Sequence, residues 1–286
     1  MSSVKTLTLN SPLFPEQLRH IADPPRQLYY LGNIENILDK PRLAIVGSRK
    51  VSAYGKSVTL RLAKEAAEQG IAIVSGLALG VDGLAHQAAL EAGGLTLAVL
   101  PSGLDKIYPA THHQLAERIL RQGGALVSEY PFDTQPFPLN FVARNRIISG
   151  ISDAILITEA ALKSGSLHTA NFALEQGRTV MAVPGNITSD QSAGTNNLIK
   201  SGATPVTEIR DILAAMELKQ AGKKAIPMGT TPEESIVIEL IARGISDASE
   251  LLHNSELALP TFNQTLTMLE ITGKIRPLGA GHWGLT

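Results

Sequence analysis

The 286-residue chain contains no cysteine. That absence removes disulfides, thiol nucleophiles, zinc–thiolate sites and iron–sulfur clusters together, and it fits a reducing cytoplasm. Aromatic residues are scarce, at 4%, and there is no basic excess: 25 Lys plus Arg stand against 26 Asp plus Glu, a formal charge of −1. Bulk charge therefore gives no support for a nucleic-acid partner, although an average hides uneven distribution. No stretch reaches ~18 uninterrupted apolar residues, which argues against a membrane span. The start, Met1-Ser2-Ser3-Val4-Lys5, lacks the apolar run of a signal peptide. The seven histidines show no H-E-x-x-H or comparable spacing, so no metal site is expected.

What the chain does have is alternation. Leu43–Val46, Ile71–Val74, Leu95–Leu100, Ala125–Val127, Ala154–Ile157 and Thr179–Val183 are short apolar runs that read as strands buried on both faces. Between them lie amphipathic stretches such as Val58–Gln69, Leu84–Ala92 and His112–Arg121, with Gly70, Gly93, Gly123 and Gly177 near helix ends. Repeated β-α units of this kind predict an α/β, Rossmann-like, doubly wound parallel sheet over residues 41–218. Residues 1–40, rich in proline, read as an irregular lead-in with one short helix. Residues 219–232 read as an exposed linker. Three short helical patterns and an alternating tail over residues 233–286 suggest a winged-helix domain.

Open parallel sheets bind ligands outside the carboxyl ends of their strands. The loops there are Gly47-Ser48-Arg49-Lys50, Ser75 to Gly83, Pro101-Ser102-Gly103, Ser128-Glu129-Tyr130, Glu159 to Ser166 and Pro184-Gly185-Asn186. Small residues let backbone amides approach an anion, and helix N-termini add partial positive charge. Any one glycine is explained by a tight turn; their common edge favours a phosphate-binding rim. Two nucleotide motifs fail. Lys50 stands where a P-loop needs glycine before Gly55-Lys56-Ser57, and Gly76, Gly80 and Gly83 miss the G-x-G-x-x-G spacing. No cofactor is expected. Glu129, Glu159 and Asp82 lie near the ligand edge as candidate acids or bases, without any pairing geometry in the sequence.

The segment from Tyr130 to Arg146 sets Phe132, Phe137 and Phe141, three of only six phenylalanines, before Arg144, Asn145 and Arg146. Aromatics beside cations suit single-stranded nucleic acid, where stacking contributes ~1–3 kcal/mol per base and arginines bind phosphates. Phe132 and Phe137 are expected to pack beneath the loop, while Phe141 is a candidate stacking residue. Arg144 and Arg146, two positions apart, would leave a regular helix in different directions, so one is expected to bind ligand and the other to hold the loop. Lys163 with Ser164 and Ser166, in a Gly-containing turn before a helix, suits a phosphate.

These residues, with Tyr108-Pro109, Ser128-Glu129-Tyr130-Pro131, Phe137-Pro138, Lys163-Ser164-Gly165-Ser166, Val183-Pro184-Gly185-Asn186 and Gly194-Thr195-Asn196-Asn197, resemble the DNA-processing protein A family (DprA, also called Smf) over most of residues 12–213. The resemblance implies an extended Rossmann-like domain that binds single-stranded DNA, forms a homodimer and helps load RecA recombinase in natural transformation, with no catalytic step. It also implies a DNA pocket formed by Ser48, Arg49, Arg144, Asn145, Arg146, Lys163 and Ser164. The C-terminal part resembles the winged-helix module of many members, and the amino-terminal helical module of some is expected to be absent. His168 replaces an expected aliphatic residue, and Thr195 stands where cysteine is frequent.

Two other readings compete. Rossmann-like enzymes that release bases from nucleoside monophosphates use a Pro-Gly-Gly-x-Gly-Thr-x-x-Glu loop, and Lys163 to Thr169 lack its double glycine and glutamate. A nucleotide-sensing regulator that binds duplex DNA through the winged helix is the second. Against it, residues 230–286 carry three basic and seven acidic residues, while the first 229 carry 22 basic and 19 acidic. A negative module repels a DNA backbone, so a protein-contact role is expected for it.

Overall fold

The computed structural model describes residues 4–219, 227–279 and 281–285. Half of the expected linker, residues 220–226, therefore lies outside the described residues. The chain forms two compact units, residues 1–220 and 221–286.

In the first unit the elements run β1 (Lys5–Thr8), α1 (Glu16–Arg19), β2 (Gln27–Gly32), α2 (Ile34–Leu38), β3 (Arg42–Val46), α3 (Ala53–Glu68), β4 (Ala72–Ser75), α4 (Val81–Glu91) and β5 (Thr96–Leu100). They continue α5 (His113–Arg121), β6 (Ala125–Ser128), α6 (Pro138–Ile151), β7 (Ala154–Ile157), α7 (Ser166–Glu175), β8 (Thr179–Ala182), α8 (Ala193–Lys200), β9 (Thr204–Pro205) and α9 (Ile209–Ala215). One sheet of order β1-β2-β6-β5-β4-β3-β7-β8-β9 results. All its pairings from β6 to β9 are parallel.

Alternate residues of the central strands feed opposite faces, as the two-residue strand period requires. Ala44, Val46, Val74, Val99 and Ile155 join the core beneath α6 and α7, whereas Leu43, Ile45, Ile73 and Leu156 join the one beneath α3 and α4. Each strand is thus buried on both sides, which is why its sequence is an unbroken apolar run.

The lead-in expectation is corrected. Residues 5–32 supply two strands of the same sheet, β1 pairing antiparallel with β2 and β2 antiparallel with β6. The sheet is consequently mixed at one edge. In β2, Leu28 and Tyr30 are buried while Gln27, Tyr29 and Leu31 are half-exposed, an alternation that the flanking prolines obscured. By pairing with β6 this strand covers what would be a bare sheet edge. Its last residue, Gly32, has φ +90 and lies so close to the Gly124 carbonyl that a Cβ would come within 2.2 Å of it.

The chain adds β4, β5 and β6 on one side of β3 and then crosses to place β7 on the other. The reversal at β3 and β7 parts the two connections and leaves a crevice at their carboxyl ends, the usual ligand position of an open α/β sheet.

The second unit comprises α10 (Pro232–Ala242), α11 (Ala248–Ser255), α12 (Leu259–Ile271) and an antiparallel ribbon of β10 (Ile275–Gly279) and β11 (His282–Leu285). Val237, Ile238, Leu251, Phe262, Leu266, Leu269 and Ile275 form its core. Thr231 caps α10 by accepting from Glu234 N at 3.2 Å, and Asp247 caps α11 by accepting from Ser249 N and Glu250 N. Lys274 Nζ donates to Glu234 Oε2 at 2.8 Å, tying the ribbon to the first helix.

Candidate functional site

A cavity of about 740 Å³ opens at the β3/β7 crevice, within the ~300–1,000 Å³ typical of ligand sites. It is lined from six strand-end segments: Ser48 and Arg49 after β3, Asp82 after β4, Tyr108 after β5, residues 136–148 after β6, Lys163 to Thr169 after β7, and Gln191 after β8. Of the eight residues singled out in the sequence, Ser48, Arg49, Phe141, Arg144, Asn145, Lys163 and Ser164 meet here. Arg146 does not line this cavity.

The two arginines part at helix α6. Arg146 is clamped on the far side: Nη1 and Nη2 donate to the two Glu129 carboxylate oxygens at 2.9 and 2.7 Å, and Nε donates to Asp23 Oδ2 at 2.9 Å. Burial works against its charge, but Glu129 and Asp23 outweigh it and hold the pKa above the ordinary value. The expectation that Arg146 shares the pocket is thus corrected on geometry. Its fork is filled by carboxylates, joining α6 to the β6 end and to the lead-in.

Arg144 points the other way and is only 3% exposed. Its Nη1 donates to the carbonyls of Gly76, at 2.6 Å, and Val99. Nε has no protein partner among the described residues. Burial pushes its pKa down to about 10 from 12.5, with nearby Asp82 opposing the shift. Asp82 is itself buried and accepts from Gly76 N at 3.1 Å and Ala78 N at 3.4 Å; burial raises its pKa, and Arg144 opposes this. Gly76 is the floor of this arrangement. A Cβ there would stand 2.5 Å from the Arg144 guanidinium, so any side chain at this position displaces it.

At the mouth, the Arg49 guanidinium lies over the Phe141 ring, 5.0 Å from its centroid, and Tyr108 packs edge-on against the same ring at 5.3 Å. Phe141 thus holds an exposed cation in place. Ser48 is buried: its amide donates to Glu159 O at 2.8 Å, and its Oγ accepts from Lys50 N at 3.1 Å. Across the crevice, Lys163 is exposed and has no partner among the described residues. Ser164 Oγ and Ser166 Oγ share a hydrogen bond of 2.8 Å at the start of α7, whose first-turn amides add positive potential.

The three carboxylates weighed as acids or bases each have a structural partner. Glu129 holds Arg146, Asp82 accepts backbone amides, and Glu159, 2% exposed, accepts from Ser52 N at 2.8 Å and from Ser52 Oγ. Gly55 packs against that Glu159 carboxylate inside α3, so Gly55-Lys56-Ser57 is helical and not a phosphate loop. Of the expected packing residues, Phe132 and Phe137 are 62% and 58% exposed; the loop after β6 carries them outward. Gln191, whose Oε1 lies 3.3 Å from Ser48 Oγ, joins the lining without any signal in the sequence.

The family model described as "DNA recombination-mediator protein A" matches residues 5–217. The chain belongs to this family. Among curated family relatives, Protein Smf of Escherichia coli strain K12 is 48% identical over 208 residues, 73% of this chain and 55% of that protein. The DNA processing protein DprA of Bacillus subtilis is 41% identical over 73% of this chain and 70% of its own length. The match thus spans little more than half of the E. coli relative. The solved structure of DNA processing protein A from Streptococcus pneumoniae aligns with a TM-score of 0.70 at 40% identity, covering 74% of each chain. That of Helicobacter pylori, described for its single-stranded DNA binding mode, aligns at 0.67 and 35% identity over 76% of this chain and 98% of that one. In this chain the motifs at Gly47-Ser48-Arg49, Arg144-Asn145-Arg146 and Lys163-Ser164-Gly165-Ser166 divide their work: the first and third line the cavity, while the second straddles its wall.

Proposed function

We propose that the protein binds single-stranded DNA in the β3/β7 cavity. The observation that carries this reading is the set of cations facing one crevice, Arg49 stacked on Phe141, Lys163 opposite and Arg144 at the base, with aromatic surface among them. Phosphates meet the cations and an unstacked base meets the guanidinium–aromatic stack, a combination that tolerates any sequence. The family match and the H. pylori relative's strand binding support the same reading. The site binds without turnover: Glu129, Glu159 and Asp82 are committed to Arg146, Ser52 and backbone amides. Protein recombination partners of the RecA kind, a homodimeric state, a role in transformation and a cytoplasmic location accompany this proposal, supported by the family's description as a recombination mediator. The acidic second unit, with the helix and ribbon order of a winged helix, is assigned a protein-contact role because its charge opposes a DNA backbone.

The test is anisotropy of a labelled oligothymidylate over a salt series, with duplex as competitor. Two or three phosphate contacts in the cavity give a slope of log K against log salt of about −1.4 to −2.1. Arg49→Glu weakens binding more than Lys50→Glu, because Arg49 is the cation held by Phe141. Equal competition by duplex, a flat salt response, or the reverse order of the two variants overturns the assignment.

A further inference from the structure

A second groove, about 680 Å³, lies beside the cavity and shares Arg49 and Lys50 with it. Its walls come from the start of α3, the turn into α4 and α5, bringing Lys56 and Arg118 to the same groove as the two shared cations. No carboxylate lines it, and none of the four cations has an ion-pair partner among the described residues. Elsewhere in the unit Arg42, Lys64, Lys106 and Arg146 stand against acids. Four uncompensated cations in one trough raise a local positive potential that near-neutral bulk charge conceals.

Apolar side chains also line the groove, Val51, Leu79, Leu84 and Leu115 among them. Leu79 is 49% exposed at its edge, on the turn between β4 and α4. The geometry of that turn is held by His112, whose Nδ1 lies 2.8 Å from Leu77 O. Gly83 makes the approach of α5 possible, since a Cβ there would come within 2.6 Å of the His112 ring. The α4–α5 wall is therefore fixed by close packing, and the trough between it and α3 is a built feature.

We propose that this groove is a second segment of the strand-binding path, in which Lys56 and Arg118 hold the phosphates of nucleotides leaving the cavity past Arg49 and Lys50. The proposal rests on the strand-binding reading above. A polyanion bound at the β3/β7 cavity meets an adjoining cationic trough with no acid to repel it, and exposed Leu79 offers a face to one base.

The experiment compares oligothymidylates of about 5 and about 15 nucleotides, near the two ends of the ~4–16-nucleotide range of strand-binding sites. Wild type is set beside Lys56→Ala, Arg118→Gln and the pair, with melting temperatures confirming that each folds. The double variant is expected to bind the short strand as wild type does and the long one several-fold more weakly. Its salt slope for the long strand falls by about 1.4, the loss of two contacts at ~0.7 each. Lys56→Ala alone, at an exposed position, gives about half that change. Unchanged long-strand affinity and slope in the double variant overturn the groove and leave the cavity reading intact. Equal weakening of both lengths also overturns it, because the two residues then act on the cavity. Failure of wild type to bind either length overturns the cavity reading and this proposal together.

Discussion

Lowering the pH should destabilise the first unit through one residue. His86 is fully buried on α4, its Nδ1 2.6 Å from Thr96 Oγ1. The Thr96 hydroxyl has a single proton and donates it to Ile73 O at 2.7 Å. Toward His86 it must accept, so Nδ1 carries the imidazole proton and Nε2 is bare. That Nε2 is buried with no protein partner among the described residues. Protonating it places both a charge and an unanswered N–H in the core. Burial, with the nearby charges of His112 and Arg144, accordingly pushes the pKa down to about 3 from 6.5. An unfolded chain takes up this proton below about pH 6.5 and the folded one does not, so stability is complete above that pH and is lost on acidification until about pH 3. The slope is ~1.4 kcal/mol per pH unit, and the loss between pH 7 and pH 5 is about 2 kcal/mol, a large part of a typical ~5–15 kcal/mol. Asp82, whose folded pKa is raised, works in the opposite sense and is common to both proteins compared. Urea unfolding of wild type and His86→Gln at pH 7, 6 and 5 isolates the histidine. The variant is expected to lose about 2 kcal/mol less over that range. Parallel pH dependence in the two proteins, or an imidazole NMR titration of His86 with a midpoint above 5, refutes the reasoning.

Other consequences are equally direct. Gly76→Ala drives a methyl into the Arg144 guanidinium and should cost about 1–3 kcal/mol in urea unfolding together with a loss of strand affinity; a variant as stable as wild type contradicts the packing. Arg146→Ala leaves Glu129 without its bidentate partner and should destabilise by up to ~3 kcal/mol while the remaining folded protein keeps the cavity's affinity. A larger affinity loss than that of Arg49→Ala would return Arg146 to the binding surface. A chain ending near Met228, which retains the compact first unit, should bind strands as the full chain does, and a large loss would assign DNA contacts to the second unit.

The sequence determined the sheet's interior. Strands covered on both faces are mostly apolar, so β3 to β8 are visible as runs, and the helices around them as periodic stretches with glycine beyond their ends. It also determined which loops share an edge, since parallel strands put all their carboxyl ends on one side. What it could not register was any element whose covering comes from one partner only. β1 and β2 are short strands in a proline-rich stretch and exist because the β6 edge accepts β2, which in turn pairs with β1. Helix α6 defeats periodicity because its pattern is inverted, with Leu139 82% exposed and both arginines buried.

The division of labour between Arg144 and Arg146 shows the limit most plainly. Two-residue spacing required that they diverge, and nothing in the chain said which would meet carboxylates. Only the fold decided it, by bringing Asp23 and Glu129 to one side of α6, and the carbonyls of Gly76 and Val99 to the other. Bulk charge failed for the same reason: a count cannot register position. Arg49 and Lys50 come from one loop, Lys56 from α3 and Arg118 from α5, and they become one cationic trough only when α3, α4 and α5 are packed together. Residue type and local period are properties of the chain, whereas which charges lie within reach of one another is settled by tertiary packing.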